Sequence, residues 1–155
     1  MLICLDIGCG FNKIELVSHR VIGLDNRPET KCDIVCDVTN LPFKRESVDA
    51  IYSSHCLEHF KALDIQSILY KWTKVVRKNG DIYIKVPDIK FACRNILNDI
   101  YTLDEFSILY GKQDYPSNFH NTGFTVKLLE SWIKEFAVGK CYSNGREVIF
   151  EGIRR

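Results

Sequence analysis

Short apolar runs separated by polar turns recur along the first half of the chain, and each run predicts one strand. Four of these runs are nearly continuous, at residues 2–7, 21–25, 33–37 and 48–55. Continuous apolar runs are typical of parallel strands that are covered on both faces. A fifth run, residues 81–88, alternates between apolar and polar positions, which predicts a strand nearer the edge of the sheet.

Helices are predicted between these runs. The clearest covers residues 62–78, where apolar side chains recur at three- and four-residue spacing and Asn79-Gly80 supplies the stop. Residues 11–20 leave room for only a short helix between the first two strands.

The second half of the chain starts with residues 89–109, which predict two helical pieces, the second capped by Thr102. Residues 110–124 mix aromatic and polar side chains without a period, which predicts a long loop. Thr125 caps a further helix, and residues 138–153 predict a β-hairpin.

Strands that alternate with helices or short connections require crossover links, which are right-handed and give a mostly parallel sheet. We therefore predict an α/β, Rossmann-like fold, with a mostly parallel seven-stranded sheet, helices on both faces and a C-terminal antiparallel hairpin. No linker, repeat or low-complexity tract interrupts the pattern, so residues 1–155 are predicted to form a single domain.

Composition limits the partners and the compartment. The formal net charge of +1 gives no strong field to attract nucleic acid or an anionic membrane, so neither is expected as a partner. No apolar run approaches the roughly 18 residues of a membrane span. The seven cysteines are odd in number and form no CxxC pair, which favours free thiols and predicts a cytoplasmic protein.

Acidic residues end three successive predicted strands, and glycines follow the first of them. These acids are Asp6, Asp25 and Asp37. Because the carboxyl ends of parallel strands share one edge of the sheet, we expect the three carboxylates to line one cleft. Gly8 and Gly10 allow a sharp turn and a close approach of a ligand to the backbone. The pattern predicts a nucleoside site, with Asp25 at the ribose hydroxyls and Asp37 at an adenine amine.

The nucleoside is not expected to be part of NAD. The dinucleotide fingerprint has a third glycine three residues after the second, where this chain has Lys13. The first connection is also too short for a normal helix that faces a pyrophosphate. An adenosine without phosphates therefore fits the sequence better.

Five segments carry a resemblance to a known family. They are LDIGCG (5–10), GLD (23–25), CDVTNLPF (36–43), VDAIYSSHCLEHF (48–60) and VVRKNGDIYIKVPD (75–88). In their order and spacing the chain resembles class I S-adenosylmethionine-dependent methyltransferases, in the group called methyltransferase type 11-like. The resemblance implies an enzyme that moves the methyl group of S-adenosylmethionine to an acceptor. We expect that acceptor to be a small molecule that is methylated at oxygen or nitrogen.

The resemblance also implies which residues surround the cofactor. They are Asp6, Gly8, Cys9, Gly10, Asp25, Asn26, Asp37, Val38, Ser54 and His55. The first four border the methionine moiety, the next two lie at the ribose, Asp37 and Val38 lie at the adenine, and the last two lie beside the transferred methyl.

Two departures from the family pattern concern the cover of the cofactor. Asn12 stands where many members have a third small residue, and the first helix is truncated. The chain also starts almost on its first strand, without the N-terminal helices that often cover the cofactor. Cover is therefore expected from residues 104–124, acting as a lid, or from a partner chain such as a second copy in a homodimer.

Residues 55–59 match H-x-x-E-H, a pattern of zinc peptidases in which two histidines one helical turn apart bind the metal. This alternative makes the chain a zinc hydrolase that uses His55, Glu58 and His59. However, His55 ends a predicted strand, which breaks the helical geometry, so no metal is predicted. A second alternative is a non-catalytic methyltransferase-like binding module, which the truncated first helix favours.

Methyl transfer to a hydroxyl or an amine also requires that the acceptor lose a proton. A histidine with an ordinary pKa is a natural base near neutral pH. Our hypothesis is that His55, or His120 from the long loop, takes this proton and that Glu58 orients or assists the base.

Overall fold

The carboxyl edge of a seven-stranded sheet organises the molecule. The computed structural model describes all 155 residues. The strands are β1 (Leu2–Ile7), β2 (His19–Asp25), β3 (Ile34–Val35), β4 (Val48–Ser54), β5 (Val76–Pro87), β6 (Ala137–Ser143) and β7 (Glu147–Arg154). The helices are α1 (Ile65–Val75), α2 (Ile89–Leu97), α3 (Leu103–Tyr110) and α4 (Val126–Ile133).

The strand order is β3-β2-β1-β4-β5-β7-β6. The first five strands in this order pair in parallel, and β7 runs antiparallel to both of its neighbours. The predicted Rossmann-like fold with a C-terminal antiparallel hairpin is confirmed.

The first connection contains no helix, so the short helix predicted over residues 11–20 is wrong. Leu16 and Val17 are 40% and 111% exposed, and these residues therefore offer no apolar face for a helix to bury. β2 instead begins at His19, two residues earlier than the apolar run.

Strand β5 differs from its prediction in length and in position. Residues 76–80, expected as the end of a helix, belong to this strand, and Asn79 has a positive φ of 60° where the pairing with β4 shifts register. β5 also lies inside the sheet, because β7 pairs with its free side. Polar and apolar residues alternate along β5 because Asp81 and Lys85 point to a face of the sheet that no helix covers.

The core lies between the other face of the sheet and helices α1 and α4, which contact strands β4 to β7. Trp72 of α1 is fully buried, and its Nε1 donates to the carbonyl of Val38 at 2.8 Å. This hydrogen bond ties α1 to the segment that follows β3, and so holds Val38 at the carboxyl edge.

The uncovered face lies over β4, β5, β7 and β6. Tyr52 and Tyr83 stack there with ring centroids 5.1 Å apart, and Val138 and Ile153 are 54% and 40% exposed. The connections between β1, β2 and β3 form no α-helix, so every α-helix of the molecule follows β4 in the chain. No helix in the structure has the length and apolar character to cross a membrane.

The two helical pieces predicted within residues 89–109 are α2 and α3, which pack against each other. Thr102 caps α3 as predicted, in a capping box with Glu105. Glu105 also accepts a hydrogen bond from Asn95 Nδ2 of α2 at 2.7 Å. These contacts fix α3 beside the carboxyl edge, where the predicted loop 110–124 follows it.

Candidate active site

The turn after β1 is built around a glycine that no other residue can replace without a shift. Gly8 has a φ of +73°, and a Cβ there would lie 2.6 Å from Cys56 Sγ. The amides of Gly8 and Cys9 both donate to the carbonyl of Leu24, at 2.8 and 3.0 Å. The turn is therefore held against the end of β2.

Asp25 ends β2 and organises this corner. Its carboxylate is buried, and Oδ2 accepts from the amide of Gly10 at 2.9 Å. Oδ1 accepts from the amide of Arg27 at 3.0 Å and from Arg27 Nε at 3.2 Å. Asp25 thus connects the glycine turn to the residues that follow β2.

A cavity of about 170 Å³, the smaller cavity, lies against Gly8 and Asp25. Val38 and Phe60 supply apolar walls, and Asn26 adds a polar one. Tyr115, from the long loop, also lines this cavity, and the Arg27 guanidinium lies 4.3 Å from the centroid of its ring.

Asp6 and Asp37 line neither this cavity nor the larger one described below, so the expected row of three carboxylates is reduced to Asp25. Asp6 is buried beneath the first connection, where its Oδ2 accepts from the amide of Ile14 at 2.9 Å. Burial raises the pKa of Asp6 to about 6.

Asp37 is exposed, since β3 ends at Val35 and the chain turns before the carboxylate reaches the cleft. Its Oδ1 accepts from the amide and the hydroxyl of Thr39, at 2.8 and 2.7 Å. Three other expected cofactor residues lie outside the lining of both cavities, namely Cys9, Gly10 and Ser54.

The larger cavity, of about 890 Å³, opens along the carboxyl edge between β4, α3 and the long loop. Its lining is mostly polar and carries both signs of charge, including Lys112, Arg146, Asp104 and Glu147. The two cavities adjoin, since they share four lining residues, which are Arg27, His55, His59 and Tyr115.

A buried carboxylate faces three histidines at the floor of the larger cavity. Glu58 is 1% exposed, and neither of its carboxylate oxygens accepts a hydrogen bond of acceptable geometry. His55 Nδ1 lies 3.3 Å and His120 Nε2 lies 3.9 Å from Glu58 Oε1. His59 completes the cluster, with its ring edge-on to that of His120 at 5.1 Å. The structure thus brings together all three predicted catalytic residues.

The long loop is anchored to the segment that carries Glu58 and His59. The amides of Asn121 and Thr122 donate to the carbonyl of Glu58, at 2.8 and 3.1 Å. Asn121 Nδ2 donates to the carbonyl of His59 at 2.7 Å, and Thr122 Oγ1 to that of Phe60 at 2.6 Å. These four hydrogen bonds place His120 opposite Glu58.

The two predicted base candidates have different electrostatic surroundings. The contact with Glu58 raises the pKa of His55, and Glu147, whose Oε1 lies 2.9 Å from His55 Nε2, acts in the same direction. Burial lowers the pKa of His120. At neutral pH, His55 therefore holds a proton more readily than His120 does.

The H-x-x-E-H pattern does not lie on an α-helix, as expected from the strand that precedes it. β4 ends at Ser54, His55 has a positive φ of 55°, and residues 57–59 form a single 3-10 turn. His55 Nε2 is engaged with Glu147, so the zinc-peptidase geometry of His55 and His59 is not formed.

Sequence reasoning missed Arg27 and Glu147. Arg27 lies two residues after Asp25, and a cation so close to a strand-end acid is a signal for an ion pair. Glu147 is 92 residues from its partner His55, and no local pattern indicates that contact.

Sheet order, the glycine turn and the acid at the end of β2 define a methyltransferase-type α/β fold, and comparison with known proteins agrees. Residues 5–84, just over half of the chain, match the family described as methyltransferase domain. The chain belongs to this family. Family membership identifies the chain as an enzyme that transfers methyl groups, and it favours this interpretation over a non-catalytic binding module. No curated protein sequence matches the chain significantly.

Many solved structures share the fold at low sequence identity. A Pyrococcus horikoshii protein has a TM-score of 0.73 and 15% identity, over 99% of this chain and 82% of that one. A Methanosarcina mazei S-adenosylmethionine-dependent methyltransferase has a TM-score of 0.71 and 17% identity, over 98% and 92%. The Burkholderia thailandensis 1,6-didemethyltoxoflavin-N1-methyltransferase, solved with bound 1,6-didemethyltoxoflavin and S-adenosylhomocysteine, has a TM-score of 0.63 and 15% identity, over 98% of this chain and 70% of that one.

Proposed function

We propose that this enzyme transfers a methyl group from S-adenosylmethionine to an oxygen or nitrogen atom of a small molecule. The observation that carries the proposal is the pair of adjoining cavities, one beside the glycine turn and Asp25, the other beside the histidine cluster. The larger cavity has the volume of a small-molecule pocket, which is about 300–1,000 Å³. The solved methyltransferases of the same fold support the choice of cofactor.

The acceptor capacity of Asp25 fits a ribose. An ionised carboxylate offers about four acceptor positions, and Asp25 uses three of them, for the amides of Gly10 and Arg27 and for Arg27 Nε. The two ribose hydroxyls need two positions. Arg27 Nε therefore leaves Asp25 when the ribose binds, whereas both backbone amides stay.

The adenine is proposed to lie between Val38 and Phe60. Asp37 precedes Val38 in the chain, and its Oδ2 accepts no hydrogen bond within the protein, so we propose that this exposed carboxylate turns towards the exocyclic amine when the cofactor binds. Arg27 and Tyr115 then form the outer wall. This supports cover by the segment 104–124 of the same chain over cover by a partner.

The bound cofactor supplies a methyl group on a positively charged sulfur. The protein has to align the acceptor with that methyl and exclude water, because the reaction is an in-line displacement. His55 lines both cavities, so the methyl group is proposed to move from cofactor to acceptor next to this residue. The acceptor loses its proton to His55 or to His120, the imidazoles that face Glu58.

A polar acceptor fits the larger cavity best. Arg146 and Lys112 can pair with acidic groups, and Asp104 and Glu147 with basic or hydroxyl groups. The seven free cysteines support action in a reducing compartment such as the cytoplasm.

Titration calorimetry with S-adenosylmethionine and S-adenosylhomocysteine tests the proposal. Both ligands should bind the wild-type protein, and Gly8→Ala should abolish binding, since the added Cβ displaces Cys56. Gly145→Ala is the matched control, because Gly145 also has a positive φ but open space around it. A wild-type protein that binds neither ligand would contradict the proposal.

Transfer is then measured with methyl-labelled cofactor and a small-molecule extract, followed by mass spectrometry of labelled products. If His55→Ala and His120→Ala both keep full turnover, the assignment of the base is wrong. Cofactor binding without any labelled product, in extracts of several sources, would indicate a binding module.

A further inference from the structure

Three potential ligand atoms converge at the floor of the larger cavity, one each from Glu58, His59 and His120. They all lie within 4.8 Å of one another. Glu58 is 1% exposed with both oxygens lacking a hydrogen bond. Its nearest contacts, His55 Nδ1 at 3.3 Å and His120 Nε2 at 3.9 Å, both involve Oε1. A buried carboxylate that is incompletely paired is costly, which favours a further compensating group.

Both histidines present a lone pair to this carboxylate. His59 Nδ1 lies 3.0 Å from the carbonyl of Phe119, and His120 Nδ1 lies 2.9 Å from that of Ile108. A carbonyl can only accept, so each Nδ1 carries the hydrogen, and in the neutral imidazole each Nε2 has a free lone pair. Histidines that bind metals are oriented in this way.

We propose that Glu58, His59 and His120 bind a divalent first-row transition-metal ion, with zinc as the reference. Two imidazole nitrogens and one carboxylate suit such an ion, whereas magnesium and calcium prefer oxygen ligands throughout. The ligand atoms close to about 3.3 Å from one another around a tetrahedral ion, as bonds of about 2.0 Å require. Three protein ligands leave at least one coordination position open to the cavity.

This site differs from the zinc-hydrolase alternative in its ligands. That alternative uses His55 together with His59, but His55 Nε2 is engaged with Glu147, and His120 comes from the long loop instead. No metal was predicted because His55 and His59 do not share a helix. In the structure, His120 of the long loop takes the ligand position that His55 would occupy in such a helix.

The role of the ion rests on the proposed function. An acceptor oxygen at the open position is polarised, which lowers the pKa of its hydroxyl. Its proton would pass to His55 Nδ1, which no longer faces a free carboxylate once Glu58 binds the ion, while His55 Nε2 stays with Glu147. The oxygen lone pair then forms the bond to the methyl carbon, and the carbon–sulfur bond breaks with its electron pair remaining on sulfur. The site therefore favours an oxygen acceptor over a nitrogen one.

Cobalt(II) titration of the metal-free protein tests the site. We expect one ion per chain, visible d–d bands without a thiolate charge-transfer band, and displacement by zinc. Glu58→Gln and His120→Asn should weaken binding by more than about 100-fold, since even the partners of metal ligands are worth 10–100-fold. His19→Gln is the matched control, because His19 lies outside the cluster and contacts Ser18.

Thermal unfolding separates loss of the site from loss of the fold. Zinc should raise the Tm of the wild type and of His19→Gln, but not that of Glu58→Gln. Unchanged one-to-one binding in Glu58→Gln and His120→Asn, a thiolate spectrum, or no binding to the wild type would overturn the site. Calorimetry of the same metal-free protein with S-adenosylmethionine shows separately whether the proposed function fails.

Discussion

The two cavities are built in different ways. The smaller one is formed by turns that directly follow strands, so that Gly8, Asp25 and Val38 reach it from β1, β2 and β3. The larger one depends on contacts between distant parts of the chain, such as Asn121 with His59, 62 residues apart, and His55 with Glu147, 92 apart. Turns after parallel strands thus build most of the proposed cofactor site, whereas the proposed acceptor side requires a loop anchored by its own hydrogen bonds.

The largest expected effect concerns the cofactor side alone. Asp25→Asn should weaken S-adenosylmethionine binding by about 100-fold or more, since hydrogen bonds to a charged group contribute about 1.5–3 kcal/mol each and two are affected. Cobalt binding should persist, as Glu58 and its histidines do not contact Asp25. Calorimetry and cobalt titration on the same protein measure both.

Asp49→Asn is the matched control for this change. Asp49 also accepts from a backbone amide, that of Ile3 at 2.7 Å, but it lies at the opposite end of β4. If Asp49→Asn weakened cofactor binding as much as Asp25→Asn, the effect of Asp25 would be one of general stability.

A second prediction concerns pH and the cofactor half of the sheet. The folded pKa of Asp6 is raised from 3.8 to about 6. Its contribution to the free energy of unfolding is therefore most favourable below pH 3.8 and is lost as the pH rises towards 6. The loss is about 2–3 kcal/mol for a shift of this size. Urea unfolding from pH 4 to 7 should be flatter with pH for Asp6→Asn than for the wild type, and parallel profiles would contradict the assignment.

Most of the fold could be predicted because its signals are local. Apolar runs predicted five strands, the terminal hairpin pattern predicted the other two, and Thr102 and Thr125 predicted two helix caps. The helix predicted between β1 and β2 was wrong, because length and composition do not reveal that Leu16 and Val17 stay exposed. β5 was predicted near the edge of the sheet because its residues alternate between apolar and polar. This alternation reflects one open face, which this interior strand has in common with an edge strand.

The parts of the candidate site that directly follow strands could be predicted, whereas the parts that depend on contacts between distant segments of the chain could not. Asp25 lines its cavity as expected, but Asp37 does not, because β3 is only two residues long. His55, Glu58 and His120 were each singled out, yet their common cluster depends on the anchored loop. Without that anchor, His120 could not be recognised as a neighbour of His59.

A third prediction concerns Glu105, on the side of the larger cavity, whose contribution to stability should depend on pH in the opposite direction from that of Asp6. Hydrogen bonds from Thr102 and Asn95 lower the pKa of Glu105 from 4.5 to about 2. A lowered carboxyl pKa contributes stability above pH 4.5 that is lost as the pH falls towards 2. Glu105→Gln should therefore lose less stability than the wild type on acidification through this window. Acid titration followed by circular dichroism measures it, and an unchanged acid midpoint would argue against the capping box.

The smallest expected effects come from one threonine on each side. Thr122→Val removes the bond from Oγ1 to the carbonyl of Phe60 at nearly constant shape. A typical hydrogen bond contributes about 1 kcal/mol, so cobalt affinity should fall about 5-fold while cofactor affinity is kept. Thr39→Val removes the hydroxyl bond to Asp37 Oδ1 but keeps the amide bond, and should change cofactor affinity by a few-fold at most while cobalt affinity is kept. If each variant altered both affinities equally, the two cavities would be coupled through the shared residues His55 and Arg27, and their independence would be refuted.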